Sequence, residues 1–248
     1  MKFTARRVAT VFAVVTTLAP NARAQHNGNG YLFHEPQMRL TVRGGYSTAN
    51  AGSDVFSFVT QNLTVSKSDF SGFAGGLEFA FPVSQRFELS ADVGFSHAGK
   101  SSEFRTLEDN NNKPIEQATQ FDRVPMTLNA RYYLSSPGRS IGKLAWIPSH
   151  ITPWVGAGGG MMWYSFRQNG DFVDYTNFNV FRATLKDEHL VPMTQLMAGS
   201  EFSLTPLMGF STEARYLMAH GKRSEDFSGF NNIDLSGFSA SVGLTFRL

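Results

Sequence analysis

FSASVGLTFRL, Phe238 to Leu248, carries an apolar side chain on every second position: Phe238, Ala240, Val242, Leu244, Phe246 and Leu248, with Ser239, Ser241, Gly243, Thr245 and Arg247 between them. A period of two puts one set on each face of a β-strand. Along any side that no neighbour covers, such a strand presents a row of unpaired N–H and C=O groups. What pairs with it decides the fold.

The same alternation returns along the chain. Met38, Leu40, Val42, Gly44 and Tyr46 oppose Arg39, Thr41, Arg43 and Gly45; Phe73, Gly75, Leu77, Phe79 and Phe81 oppose Ala74, Gly76, Glu78 and Ala80. After the PVSQR turn, Phe87, Leu89, Ala91, Val93 and Phe95 oppose Glu88, Ser90, Asp92 and Gly94. Val124, Met126, Leu128, Ala130, Tyr132 and Leu134 oppose Arg123, Thr127, Asn129 and Arg131. The segment ITPWVGAGGGMMWYSF is a fifth strand whose facing stays open, because Trp154 and Trp163 have opposite parity and the glycines between them suit a bulge. Leu196, Ala198 and Phe202 against Gln195, Gly199 and Glu201 make a sixth, and Phe210, Thr212, Ala214, Tyr216 and Met218 against Ser211, Glu213, Arg215 and Leu217 a seventh. No helical stretch, internal repeat or second domain is visible.

Connections near 48–69, 98–120, 167–189 and 220–232 read as long polar loops, whereas those after the second and sixth strands are tight. The connection SSPGRSIGKLAWIPSH is long where a short one is expected, and the pattern offers no reason for it. Long loops at one end and tight turns at the other are the asymmetry of an outer-membrane barrel.

Alternation by itself fits a soluble barrel or sandwich equally well, and lysine separates the cases. The six lysines after the first 24 residues, Lys67, Lys100, Lys113, Lys143, Lys186 and Lys222, all fall in expected loops. A strand face in bulk water would use lysine freely. The polar face is instead Ser, Gly, Ala and Thr with a few ions, as expected of a narrow interior. On the apolar face, aromatics collect at the strand ends: Phe79, Phe81, Phe87, Tyr132, Phe202, Phe210 and Phe246 at one end, Tyr46, Phe73, Phe95, Tyr216 and Phe238 at the other. Two aromatic girdles flanking an apolar band are the signature of a lipid-facing wall. In lipid a sheet must close on itself, so the strand ending at Leu248 is expected to pair with the first. The fold expected is all-β: an eight-stranded antiparallel up-and-down transmembrane β-barrel with long extracellular loops.

Residues 1–24 read as a cleaved signal peptide: Lys2, Arg6 and Arg7, an apolar run from Val8 to Leu18, then Ala22-Arg23-Ala24. Residues 25–36 would be an N-terminal periplasmic tail and 37–248 the barrel. The full chain has 22 basic and 20 acidic residues; without the leader's four basic residues the balance is 18 to 20, a net charge of −2. No basic surface for nucleic acid is implied. The absence of cysteine excludes a disulfide framework.

The signal peptide, the PWVGAGGG run at Pro153 to Gly160, the EFSL and EARY segments between Glu201 and Tyr216, and the terminal strand resemble the small outer-membrane β-barrel family of the OmpA, OmpX and OmpW type, over roughly Gln37 to Leu248. The resemblance implies residence in the cell outer membrane, with outer-membrane lipids, lipopolysaccharide and the β-barrel assembly machinery as partners and a monomeric state. It also implies an assembly signal at the chain end, here Phe246 and Leu248. In some members of this family, small hydrophobic molecules are thought to cross the barrel.

By parity, Arg39, Arg43, Arg123, Arg131, Arg215 and Arg247 face inward with Glu78, Glu88, Asp92, Glu201 and Glu213. At low dielectric such ions must pair, giving either a structural plug or a selective constriction. The narrow bore of eight strands favours the plug. Phe172, Tyr175, Phe178 and Phe181, with Phe56, Phe58, Phe227 and Phe230 in the other outer loops, form either a cap or a ligand surface. Nothing points to an enzyme, cofactor or metal. His97 and His220 sit near Ser101 and Ser224 in sequence but lack the pattern associated with lipid A deacylases, and DNNNKPIE lacks a calcium loop's third acid and Gly. The reading is a structural or surface-interaction barrel with a filled lumen; a narrow channel for small solutes is the alternative.

Overall fold

The computed structural model describes residues 30–108, 112–142, 145–174, 179–221, 227 and 229–248, and the expected leader lies outside them. The strands are β1 (Arg39–Ala49), β2 (Gly72–Ser84), β3 (Phe87–Glu108), β4 (Pro114–Tyr133), β5 (Gly138–Ile141), β6 (Ala145–Pro148), β7 (Ile151–Val173), β8 (Val180–Ser203), β9 (Met208–Gly221), β10 (Ile233–Asp234) and β11 (Gly237–Arg247). Eight of them form an antiparallel ring in the order β1, β2, β3, β4, β7, β8, β9, β11 and back to β1. The last strand, β11, pairs with the first, from Arg39 opposite Arg247 to Ala49 opposite Gly237. Leu248 extends the seam, its N–H donating to the Met38 carbonyl and its carbonyl accepting from the Gln37 and Met38 amides.

Membrane crossing takes ~9–11 residues of tilted strand, yet β3, β4, β7 and β8 have 22, 20, 23 and 24. The segments 98–120 and 167–189, expected as loops, are largely strand and carry the sheet well beyond the apolar band. Lys100 and Lys186 consequently stand on strands, both above the upper girdle. Once the outer face leaves lipid it turns polar, so inside and outside lose their contrast in the sequence.

The first outer connection holds a helix, α1 (Asp54–Asn62), followed by a 3₁₀ turn at Lys67–Phe70. No helix is legible in DVFSFVTQN, which is β-branched and aromatic; a helix this short owes its stability to packing, and it buries Val55, Phe56 and Val59. At the 3₁₀ turn the Ser66 amide and hydroxyl donate to Asp69, which holds that carboxyl below the usual carboxylate range. The connection without an explanation in the sequence is the β5–β6 hairpin, and Leu32 of the tail bridges to its Trp146. The hairpin and tail thus lie against the tight-turn end, where the Arg247 guanidinium sits 5.8 Å from the Trp146 ring.

The facing of β7 is also settled. Its register with β4 runs unbroken from Tyr133 opposite Trp154 to Gln117 opposite Gly170, with no bulge. Trp154 points inward and Trp163 outward. The glycines make room for side chains of the neighbouring strand: a Cβ on Gly158 would lie 1.9 Å from Oδ1 of Asn129, its partner on β4.

Closure is testable because the chain has no native cysteine. Thr41 and Thr245 are opposite one another with their hydroxyls 2.9 Å apart. The pair Thr41→Cys and Thr245→Cys should oxidise quantitatively in folded protein and give a reducible shift in non-denaturing gel mobility. Free thiols after oxidation of folded protein would contradict the ring.

Candidate functional site: a wall turned to lipid and a filled lumen

The wall is the reverse of a water-soluble protein. Leu128 is 72% exposed, and Val42, Leu89, Val93, Met126, Val155, Leu196 and Val242 are exposed around the same belt. Above and below it stand the two girdles: Tyr46, Phe73, Phe95, Tyr216 and Phe238 on one side, Phe79, Phe81, Phe87 and Tyr132 on the other, all exposed. Glu78 and Glu88, in contrast, are each 1% exposed. An apolar belt of this extent has no place in water, and a closed ring leaves no strand edge open to lipid.

The chain is an eight-stranded transmembrane β-barrel.

No family model matches the chain, and no curated protein matches it. Among solved structures, similarity is found to the outer membrane protein OprG of Pseudomonas aeruginosa, at 11% identity over 88% of this chain and 99% of that one, with a TM-score of 0.49. Neisserial surface protein A is similar at 10% identity over 89% and 98%, with a TM-score of 0.44. Outer membrane protein W of E. coli is similar at 12% identity over 87% and 100%, with a TM-score of 0.38. At these scores the fold assignment stands on the ring and its wall. Barrels with such walls belong to outer membranes.

Inside, the lower half of the lumen is an ion-pair lattice. Arg131 of β4 donates through Nη2 to Glu78 at 2.6 Å and to Glu213 at 3.0 Å, and its guanidinium lies 4.0 Å from the Trp154 ring centre. Arg43 grips Asp92 through both terminal nitrogens, and Arg215 bridges Asp92 and Glu213. Arg39 meets Glu88 at 2.9 Å and donates to the Tyr133 hydroxyl, which donates to Glu88 at 3.0 Å. Arg247 pairs with Glu201 and donates to Ser203 at 2.8 Å. Bidentate guanidinium–carboxylate contacts are the strongest ion pairs available to side chains. Above the lattice, the Gln195 amide donates to Asn129 at 2.7 Å and to Thr127 at 3.0 Å.

The upper half is apolar. Phe56 of α1 enters the barrel mouth and packs edge-on against Phe70, Phe121 and Phe166, at ring separations of 4.7, 5.6 and 5.5 Å. Phe227 joins Phe166, and Val59, Tyr164, Met162 and Leu235 complete the cluster. The cap expected of the loop aromatics is therefore present for Phe56 and Phe227, with Phe58 and Phe230 stacked at its edge. Phe172 borders one cavity with Phe58, Phe227 and Phe230 and pairs with the exposed Phe181 across the β7–β8 hairpin at 6.2 Å, and Tyr175 and Phe178 lie outside the described residues.

The eleven lumen charges named from parity are all turned inward. Ten join the lattice, and Arg123 does not: among the described residues it donates only to Ser47, Ser96 and the Leu235 carbonyl. Tyr133 shares the parity of Arg131 and was there to be found. Phe121 and Phe166 were hidden by the polar segments around them. Of the other candidates, His97 points outward and bonds Asp122 at 2.5 Å, with no serine hydroxyl on its ring among the described residues. No group of three or more metal-ligating side chains occurs among the described residues.

The ladder between β3 and β4 has one interruption. It pairs Val93 with Met126, resumes in the same register at Ser96 with Arg123, and leaves Gly94–Phe95 and Val124–Pro125 unpaired. Pro125 has no N–H to give. A cavity of about 60 Å³ lies behind this gap.

Breaking the lattice at its hub should cost more than removing an exposed pair. Arg131→Met takes from Glu78 its closest partner and from Glu213 one of its guanidinium partners, and should lower unfolding stability in vesicles by ~3–5 kcal/mol. Adding Glu78→Gln should recover part of that loss. Strict additivity of the two changes would show that the pair is uncoupled.

Proposed function

We propose that the protein resides in the outer membrane as a closed structural barrel with a surface-interaction role, and that it is neither an open pore nor an enzyme. The observation that carries this reading is that the bore is obstructed twice in series, by the arginine–carboxylate lattice and by the Phe56 plug. What projects into the medium is a rim of strands whose outer face carries the Lys186–Glu188 pair and whose inner face carries Lys100, 3.7 Å from Asp69 of the 3₁₀ turn. Its lipid partners follow from the wall: acyl chains on the Leu128 belt, headgroups and lipopolysaccharide at the girdles. Since the ring satisfies its own backbone, a monomer suffices. The outward-facing Phe246 and Leu248 are the residues we assign to recognition by the assembly machinery.

One observation favours a second reading, a narrow passage for small hydrophobic solutes. The ladder gap beside Pro125 lies at the level of Phe95 in the upper girdle, with a cavity behind it. A solute taking this route would pass through the wall and not along the bore, and would have to displace Pro125, whose Cγ would stand 3.2 Å from a Cβ on Gly94.

Planar-bilayer recording of refolded protein tests the first reading. Wild type should give no sustained conductance, and neither should a variant lacking residues 53–63, because the lattice remains below the plug. A steady conductance that Arg131 or Glu213 substitution abolishes would contradict it.

A further inference from the structure

Arg123 is the odd member of the interior. Of the six inward arginines it alone reaches no carboxylate among the described residues, although it is only 4% exposed. Its Nε donates to Ser96 Oγ at 3.2 Å, Nη1 to the Leu235 carbonyl at 3.0 Å and Nη2 to Ser47 Oγ at 2.9 Å. A guanidinium carries five N–H groups, so two are left without an acceptor among the described residues. Neutral oxygens solvate this cation, and the carboxylate whose charge bears on it, Asp234, lies beyond ion-pair distance and accepts from the Gly52 and Ser236 amides; a buried charge so weakly balanced is disfavoured.

The space beside it has matching chemistry. The cavity of about 60 Å³ between lattice and plug is bordered by Arg123, Arg43 and Arg215 and by serines, including Ser239 and Ser241. No carboxylate borders it. Arg43 and Arg215 spend their charge on Asp92 on the far side, which leaves the surplus at Arg123. One water needs ~10–15 Å³ of such volume, so a halide or a carboxylate head fits. Gly94, Phe95 and Pro125 also border the cavity, which places the unpaired stretch of the β3–β4 ladder beside it.

We propose that the Arg123 cavity binds a monovalent anionic group, either a free halide from solution or the carboxylate head of a single-chain amphiphile, whose tail must displace Pro125 because a Cβ on Gly94 would already lie 3.2 Å from the Pro125 Cγ. The site is independent of conduction: a barrel closed along its axis can hold such a ligand.

Refolded protein in neutral maltoside detergent, at constant ionic strength set with sulfate, is titrated with sodium bromide or with sodium decanoate. The unfolding midpoint and the side-chain N–H resonance of Arg123 are followed together. A ligand bound only to the folded state favours folding ~100-fold at a hundred times its dissociation constant, so the midpoint should rise along a saturating curve while the Arg123 resonance shifts. Arg123→Gln should lose the saturable part of the rise. If that variant does not fold, the Arg123 resonance in wild type decides alone. Saturation with bromide supports a free-ion site, and saturation with decanoate alone supports an amphiphile drawn from the bilayer. An Arg123 resonance that neither ligand moves, or a saturable rise of equal size in Arg123→Gln, would overturn the proposal.

Discussion

The backbone hydrogen bond between the first and last strands of the ring is the contact on which the rest depends. In hydrocarbon a free N–H or C=O has no water to turn to, and each costs several kcal/mol. A sheet that left β1 and β11 unpaired would expose two full edges to acyl chains. Once those edges are joined, the alternation in each strand has only one workable sense. The larger apolar side chains go out to lipid, and whatever is small or ionised goes into a bore too narrow for bulk water.

That bore then sets its own chemistry. With eight strands the side chains nearly fill the interior, so an ion there must find its partner within a few ångströms. Arginine suits this need because its planar fork satisfies two carboxylate oxygens at once, whereas lysine is a strongly hydrated point charge. Five arginines and five carboxylates share one lattice, and Trp154 covers Arg131 from the side. The glycines of β7 belong to the same arrangement, since a side chain at Gly158 would occupy the place of Asn129. The sixth arginine sits where the lattice ends and the phenylalanine plug begins, bonded to neutral oxygens with no carboxylate within ion-pair distance among the described residues.

Legibility in the sequence followed the contrast between the two faces. Where lipid lies outside and polar groups lie inside, as along Phe87 to Phe95 or Phe238 to Phe246, both the strand and the direction of each side chain could be read from alternation. Above the membrane the contrast disappears. In 98–120, Glu103 and Gln120 face water while Ser102, Gln117 and Thr119 face the interior, so a regular strand looks like a polar loop. The interior apolar plug has the opposite difficulty. Phe121 and Phe166 are buried, yet they obey the parity that lower down belongs to arginine and glutamate. Helix α1 was invisible because its support comes from the barrel mouth it fills and not from its own residues. The Trp154 and Trp163 ambiguity had a simpler resolution than a bulge: one ring faces the lattice and the other the outside. The arginine and carboxylate positions were accessible from parity, but the exception at Arg123 required three-dimensional partners.

Collisional accessibility measured along β11 tests the orientation of the wall most directly. Single nitroxide labels at positions 239 to 246, in a barrel refolded into lipid vesicles, would report their contact with dissolved oxygen, which concentrates among acyl chains. The account predicts a strict period of two, with 240, 242, 244 and 246 high and 239, 241, 243 and 245 low. High values on the odd positions, or no alternation, would mean that the apolar face does not meet lipid.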